Sequence, residues 1–162
     1  TSCSNNYGPY QFPEKVIPLF TTNALDDEPL PLYASTENRR EWLHVDDHCS
    51  AIDLVLTKGA VGETYNIGSG LEASIEEVAD LVLASLGKPD SLKMIVPDRP
   101  GHDRRYLLDS TKIADELGWS PTIAFDYGLA ETVRWYAEHR DWWEPLKART
   151  KVEEAAWRGG PK

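Results

Sequence analysis

Residues 63–87 read ETYNIGSGLEASIEEVADLVLASLG, and within this stretch the periodicity changes in the way that decides the fold class. Glu63 to Ile67 is a short apolar run suited to a brief strand, and Gly68-Ser69-Gly70 turns the chain out of it. Ser74 and Glu77 then stand in capping-box relation. From there Ile75, Val78, Ala79, Val82 and Leu86 recur at helical spacing until Gly87. A strand feeding directly into an amphipathic helix is the building unit of an α/β protein.

The same alternation extends in both directions. Upstream, Pro13 opens a helix over Glu14–Leu25 with Ile17, Phe20 and Ala24 on one face. Leu30–Tyr33 and Trp42–Val45 read as extended pieces. Asp46 is expected to cap a helix through Lys58 that places Cys49, Ile52 and Leu56 on one side. Downstream, Leu92–Val96 is strand-like, Ser110–Leu117 is a short helix, and Asp126 is expected to cap a longer one carrying Leu129, Val133, Tyr136 and Ala137. Residues 1–146 form the folded part in this reading, and residues 147–162 a charged, flexible tail.

Composition narrows the function. Twenty-seven acidic residues against 17 basic ones give a formal charge of −10, which repels nucleic acid and anionic membranes. No apolar run approaches the length of about 20 residues needed to span a bilayer. Two cysteines and four histidines without ligand spacing predict no metal site, and so few cysteines suit a reducing cytoplasm. The first residue is Thr1 and the only methionine is Met94, so a shortened or processed piece of a longer chain is expected.

Against this acidic background, Asp98-Arg99-Pro100-Gly101-His102-Asp103-Arg104-Arg105 stands out. Arginine's planar fork suits phosphate oxygens, and the loop follows a strand end, where open α/β sheets bind ligands. The same arginines would equally serve a surface turn by pairing with Asp98 and Asp103. Arg39-Arg40 offers a further cation beside Glu37 and Glu41. Ser4-Asn5-Asn6-Tyr7-Gly8-Pro9-Tyr10 supplies uncharged amides for a sugar, ribose or carboxamide, although asparagine, glycine and proline also make ordinary turns. Asn66 ends a strand and either points its amide at a ligand or caps a turn. Gly68-Ser69-Gly70 lacks the third glycine of a dinucleotide fingerprint. Asp46-Asp47-His48 is better explained as an acidic helix N-terminus than as a catalytic group.

Four strings in order resemble the dTDP-glucose 4,6-dehydratases, extended short-chain dehydrogenase/reductases of deoxysugar biosynthesis. They are Ser4–Lys15, Trp42–His48, Tyr65–Gly68 and Asp98–Tyr106, within residues 2–146. The resemblance implies the C-terminal part of an extended Rossmann-type fold: the last strands of the parallel sheet plus the small substrate-binding domain. It implies NAD as cofactor, a dTDP-sugar as substrate, and a homodimer for the full-length enzyme. Asn6 would touch the cofactor and Asn5 the diphosphate or sugar. Lys15 and Val16 would lie along the nucleotide sugar, with Pro31, Leu32 and Tyr33 near the thymine. Arg40, Asn66 and the loop Asp98, Arg99, Pro100, Gly101 and His102 would serve the diphosphate and nucleoside end.

The chain departs from the family pattern at Ala34-Ser35-Thr36-Glu37, where relatives carry glycines, and at Glu41, where they carry aspartate. No catalytic residue is assigned. The glycine-rich cofactor loop, the Tyr-x-x-x-Lys pair and the Asp-Glu pair are implied to lie upstream of Thr1, so the chain alone is expected not to catalyse. A UDP-sugar epimerase or decarboxylase of the same superfamily, or a non-catalytic sugar-nucleotide-binding fragment, is the alternative.

Overall fold

The computed structural model describes residues 1–98 and 104–158, with side chains described up to residue 149. Among the described residues, eight short strands alternate with six α-helices. The strands are β1 (Ser2–Cys3), β2 (Asn5–Tyr7), β3 (Leu30–Tyr33), β4 (Arg39–His44), β5 (Asn66–Ile67), β6 (Glu72–Ser74), β7 (Lys93–Val96) and β8 (Arg105–Tyr106). The helices are α1 (Val16–Leu25), α2 (Val45–Lys58), α3 (Ile75–Leu86), α4 (Thr111–Leu117), α5 (Phe125–Glu138) and α6 (Arg140–Arg158). The expected α/β organisation is present, and β1 pairs β5 and β2 pairs β4 in parallel.

β4 joins two sheet environments. Its second half lies beside β2, with Asn5 opposite Trp42 and Tyr7 opposite His44. Its first half pairs antiparallel with β6 and parallel with β8. Because side chains alternate along a strand, Trp42 and Leu43 enter different cores. Trp42 joins Tyr7, Phe20, Val78, Val82 and Leu129 in the larger core under α1, α3 and α5. Leu43 joins Ala51, Tyr65, Ile67, Ile113 and Trp119 in the smaller core under α2 and α4. Both faces of the parallel strands are therefore covered, as such strands require.

The helix ends follow local chemistry. The capping box at α3 forms in full: the Glu77 N–H donates to Ser74 Oγ at 3.1 Å, and the Ser74 N–H to Glu77 Oε2 at 2.6 Å. Gly87 closes that helix in the left-handed region at φ 62°. The cap of α2 is His44, whose ring Nδ1 accepts from the Asp46 N–H at 3.2 Å, rather than Asp46. The cap of α5 is Ala124, with Asp126 inside the first turn.

The face expected of α2 also differs. Ile52 and Leu56 are 41% and 82% exposed, and Ala51, Leu54 and Val55 pack inward instead. Asp47 sets this rotation: its buried carboxylate accepts from the Thr122 N–H, the Thr122 hydroxyl and the Ile123 N–H at 3.0, 2.8 and 3.0 Å. Position 47 therefore faces inward and takes the side of the helix with it.

The boundary drawn at residue 146 falls inside α6. Lys147 is buried there, and its ammonium donates to the Thr22 carbonyl at the end of α1 and to Asp26 Oδ2 at 2.8 Å, and pairs with Glu28. Arg140 binds the other Asp26 oxygen at 2.6 Å. Burial acts to raise the Asp26 pKa, but hydrogen bonds from Lys147 and Arg140 outweigh it and hold the carboxyl below its ordinary value. A depressed carboxylate stabilises the fold above its unfolded pKa and loses that contribution as pH falls through the folded value. Lys147→Met is therefore expected to move the acid transition, seen by tryptophan fluorescence below about pH 4, to higher pH. An unmoved midpoint would show that α6 docks without this ion pair.

Candidate functional site

A cavity of about 1160 Å³ opens where β2 and β4 meet the start of α1. Its floor is the corner between β1 and β2, formed by Ser4, Asn5 and Asn6. Glu14, Lys15, Val16 and Leu19 form one wall, and Pro31 and Tyr33 of β3 with Met94 and Val96 of β7 form the other. Register fixes that second wall, since β3 and β7 run parallel with Pro31 opposite Met94 and Tyr33 opposite Val96. Arg40 and Trp42 reach the cavity from β4.

Seven residues singled out from sequence are thus brought together: Asn5, Asn6, Lys15, Val16, Pro31, Tyr33 and Arg40. Leu32 is not among them, because alternation along β3 sends its side chain into the larger core. Asn66 lies in β5 opposite Ser2, away from the cavity lining. Asp98 accepts from the Ser35 N–H at 2.9 Å and from the Ser35 hydroxyl at 2.5 Å, so it fastens the segment after β7 to the segment after β3. Arg99, Pro100, Gly101 and His102 lie outside the described residues.

The floor is held by its own hydrogen bonds. The Asn5 amide donates to the Glu41 carbonyl at 3.2 Å. The Asn6 amide donates to the Ser4 carbonyl at 3.0 Å, and its Oδ1 lies 2.8 Å from His48 Nδ1. Burial holds the His48 pKa below its ordinary value. Gln11, within the Ser4–Lys15 string but with no role legible in the sequence, donates to the Asn6 carbonyl at 2.8 Å and also lines the cavity. Its own carbonyl accepts the Tyr136 hydroxyl. Nothing in a lone glutamine signals this placement, because it depends on the docking of α5.

Two glycine features have structural partners of their own. Gly8 has φ 145°, and a Cβ there would come within 2.6 Å of Val45 Cγ1, so its bareness serves the packing of α2 rather than access for a ligand. A Cβ on Gly68 would lie 2.4 Å from Glu41 Oε1. The Gly70 N–H donates to that same oxygen at 2.6 Å and the Leu108 N–H to Oε2 at 3.0 Å. The Gly68–Gly70 turn therefore wraps a carboxylate belonging to the chain itself.

A family model described as GDP-mannose 4,6 dehydratase matches residues 1–132. The chain belongs to the GDP-mannose 4,6-dehydratase family. Within reach of this family, dTDP-glucose 4,6-dehydratase of Streptomyces niveus is 58% identical over 148 residues, 91% of this chain and 44% of the relative. The dTDP-glucose 4,6-dehydratase of Streptomyces venezuelae, solved with NAD and a dTDP ligand, matches with a TM-score of 0.87 at 58% identity. That match covers 89% of this chain and 45% of the solved one. UDP-glucose 4-epimerase of Thermotoga maritima, solved with UDP-glucose, matches at TM-score 0.79 and 32% identity, over 84% and 44% of the two chains. This family member thus spans less than half the length of these relatives, and corresponds to the C-terminal part of the solved NAD complexes.

The solved dTDP-glucose 4,6-dehydratases of Bacillus anthracis and Streptomyces venezuelae hold NAD. Asn6, clamped between Ser4 and His48 at the cavity floor, is the residue that would meet an edge of that cofactor. The Gly68–Gly70 turn does not fit its pyrophosphate, because Glu41 fills that turn. Among the described residues there is no cluster of three or more metal-binding side chains, and no helix is long and apolar enough to cross a membrane.

Proposed function

We propose that this chain is the substrate-binding part of an NAD-dependent dTDP-glucose 4,6-dehydratase. That enzyme converts dTDP-glucose to dTDP-4-keto-6-deoxyglucose in deoxysugar biosynthesis, of which rhamnose formation is one branch. The observation that carries the reading is the cavity itself: an amide floor, apolar side chains along both walls, and the cations Lys15 and Arg40 beside the carboxylates of Glu14 and Glu28. Lys15, the N-cap residue of α1, stands beside the positive end of that helix, and its ammonium pairs with Glu14 at 2.8 Å. Arg40 adds a planar donor at the rim.

NAD, when bound, supplies hydride acceptance and return. The chain's own residues bind and orient. Asn5 holds the sugar or diphosphate and Asn6 the cofactor edge, while Lys15 and Arg40 neutralise the diphosphate. Val16, Pro31 and Tyr33 enclose the nucleoside, with Leu32 holding β3 in place behind them. The loop Asp98–His102 completes the diphosphate end, with Asn66 supporting it from β5 rather than from the cavity lining. We place the full-length enzyme in the cytoplasm as a homodimer, acting on a dTDP-sugar and on neither nucleic acid nor membrane.

Calorimetry with dTDP tests this reading. The chain is expected to bind dTDP, and Arg40→Ala to bind it about tenfold more weakly, the effect of one hydrogen bond to a charged group. Absent binding, or equal affinity in the two proteins, would overturn it. Preference for UDP over dTDP would favour the epimerase reading, which the likeness to UDP-glucose 4-epimerase supports.

A further inference from the structure

A second cavity, of about 290 Å³, shares no lining residue with the larger one. One wall is a face of α5, carrying Tyr127, Glu131, Arg134 and Glu138 at helical spacing. The opposite wall is the junction of β4 and α2, with His44 and Asp46. The His44 side chain is only 7% exposed, and its Nδ1 accepts from the Asp46 N–H at 3.2 Å. A neutral ring that accepts at Nδ1 carries its proton on Nε2. That Nε2–H has no hydrogen-bond partner among the described residues, and unlike the Ser4 and Ser110 hydroxyls it is not closed off from accessible space. Gly128 lines the cavity beside this edge of the ring, where a Cβ would lie 3.2 Å from Cδ2, so no side chain covers the edge from α5.

The surrounding charges narrow what could meet this donor. Asp46, Glu131 and Glu138 set three carboxylates against one guanidinium, Arg134, which already pairs with Glu131. An anion is therefore repelled. A metal ion would need a lone pair on Nε2, where the proton sits. A purely apolar ligand would strip water from the N–H and the carboxylates without replacing it. A sugar ring meets every group: a hydroxyl oxygen accepts from Nε2, hydroxyl hydrogens go to the carboxylates, and the C–H face lies on Tyr127, whose ring is 65% exposed. The volume is at the small end for ligand pockets and suits one ring rather than a sugar nucleotide. We propose that the cavity beside α5 is a second binding site, which takes a neutral sugar through the His44 Nε2–H, the Asp46 and Glu138 carboxylates and the Tyr127 ring. It goes beyond the dTDP-sugar reading and does not depend on it.

Ligand-observed NMR titrations with methyl glucoside, choline and dTDP test the site. The unaltered chain is expected to bind methyl glucoside in the millimolar range, and saturating dTDP to leave that affinity unchanged. His44→Asn keeps a side-chain acceptor to cap α2 but removes the Nε2–H. It is expected to bind the glucoside about fivefold more weakly, the effect of one uncharged hydrogen bond. Tyr127→Ala alters an exposed position and is expected to weaken binding several-fold with the melting temperature unchanged. Should His44→Asn fail to fold, the Tyr127→Ala titration decides. No glucoside binding, or equal affinity in folded Tyr127→Ala, would overturn the proposal. Displacement by dTDP would place the glucoside in the larger cavity, and tighter binding of choline would make the site one for organic cations; either result also overturns it. Glucoside binding that follows this pattern in a chain unable to bind dTDP would sink the substrate-binding reading alone.

Discussion

Glu41→Ala is expected to destabilise the fold by about 3–5 kcal/mol, measured as the free energy of unfolding in urea. Glu41 has no exposed surface, and its two oxygens receive the Gly70 and Leu108 N–H groups. Leaving a buried donor unsatisfied costs about 1–3 kcal/mol, and two are orphaned here before the lost volume is counted. Glu41→Gln keeps the shape and one acceptor oxygen but turns an amide donor toward the other N–H, so it should cost about half as much. Gly68→Ala attacks the same contact from the other side, since its Cβ would press on the carboxylate. Were Glu41→Ala to lose less than about 1 kcal/mol, the carboxylate could not be the tie between these segments. The loss should not stay local. Glu41 connects the turn after β5 to the segment after β8, and its carbonyl also anchors Asn5 at the cavity floor.

Asp47→Ala is expected to cost about 3 kcal/mol, because one carboxylate accepts three hydrogen bonds from Thr122 and Ile123 and none has a substitute. It also removes a negative charge from the first turn of α2, where the helix dipole favours one. A second readout follows from Tyr7. Burial first, and then the charges of Asp47 and Asp126, hold its hydroxyl well above the ordinary tyrosine pKa. Removing Asp47 should let part of Tyr7's ionisation begin at lower pH in an ultraviolet titration. Asp47→Asn keeps an acceptor and the helix but sheds the charge, so it should retain most of the stability while reproducing the Tyr7 change. Full stability in Asp47→Ala would mean that α2 takes its orientation from apolar packing alone.

These two carboxylates also mark where sequence reading stops. The α3 helix was legible because Ser74, Glu77 and the apolar stripe are all local, and local patterns survive translation into structure. α2 carries two apolar stripes of similar quality. The buried one goes with long-range contacts, the bonds from Asp47 to a segment 75 residues away and the Trp119 bond to Ser50. Strands β1 and β2 were hidden in what reads as a loop, since segments of two and three residues show no alternation. They are strands because β5 and β4 lie beside them. Of the candidate site, the residues on short local strings converge on the cavity. Leu32 and Asn66 lie elsewhere, because the facing of a side chain is set by pairing. Glu41 stands in a charged segment of the sequence, and its burial depends on the Gly68 turn and Leu108, which come from elsewhere in the chain.

The six residues of β4 have a consequence for anyone recombining such proteins. Arg40, Glu41, Trp42 and Leu43 serve, in succession, the cavity, the buried carboxylate tie, the larger core and the smaller core. Inserting or deleting a single residue here would exchange all four roles at once, since a one-position slip reverses every facing. Crossover points for chimeras between homologues therefore belong in the turns on either side of β4. Its reading frame is the one feature that sheet, cores and cavity must inherit together.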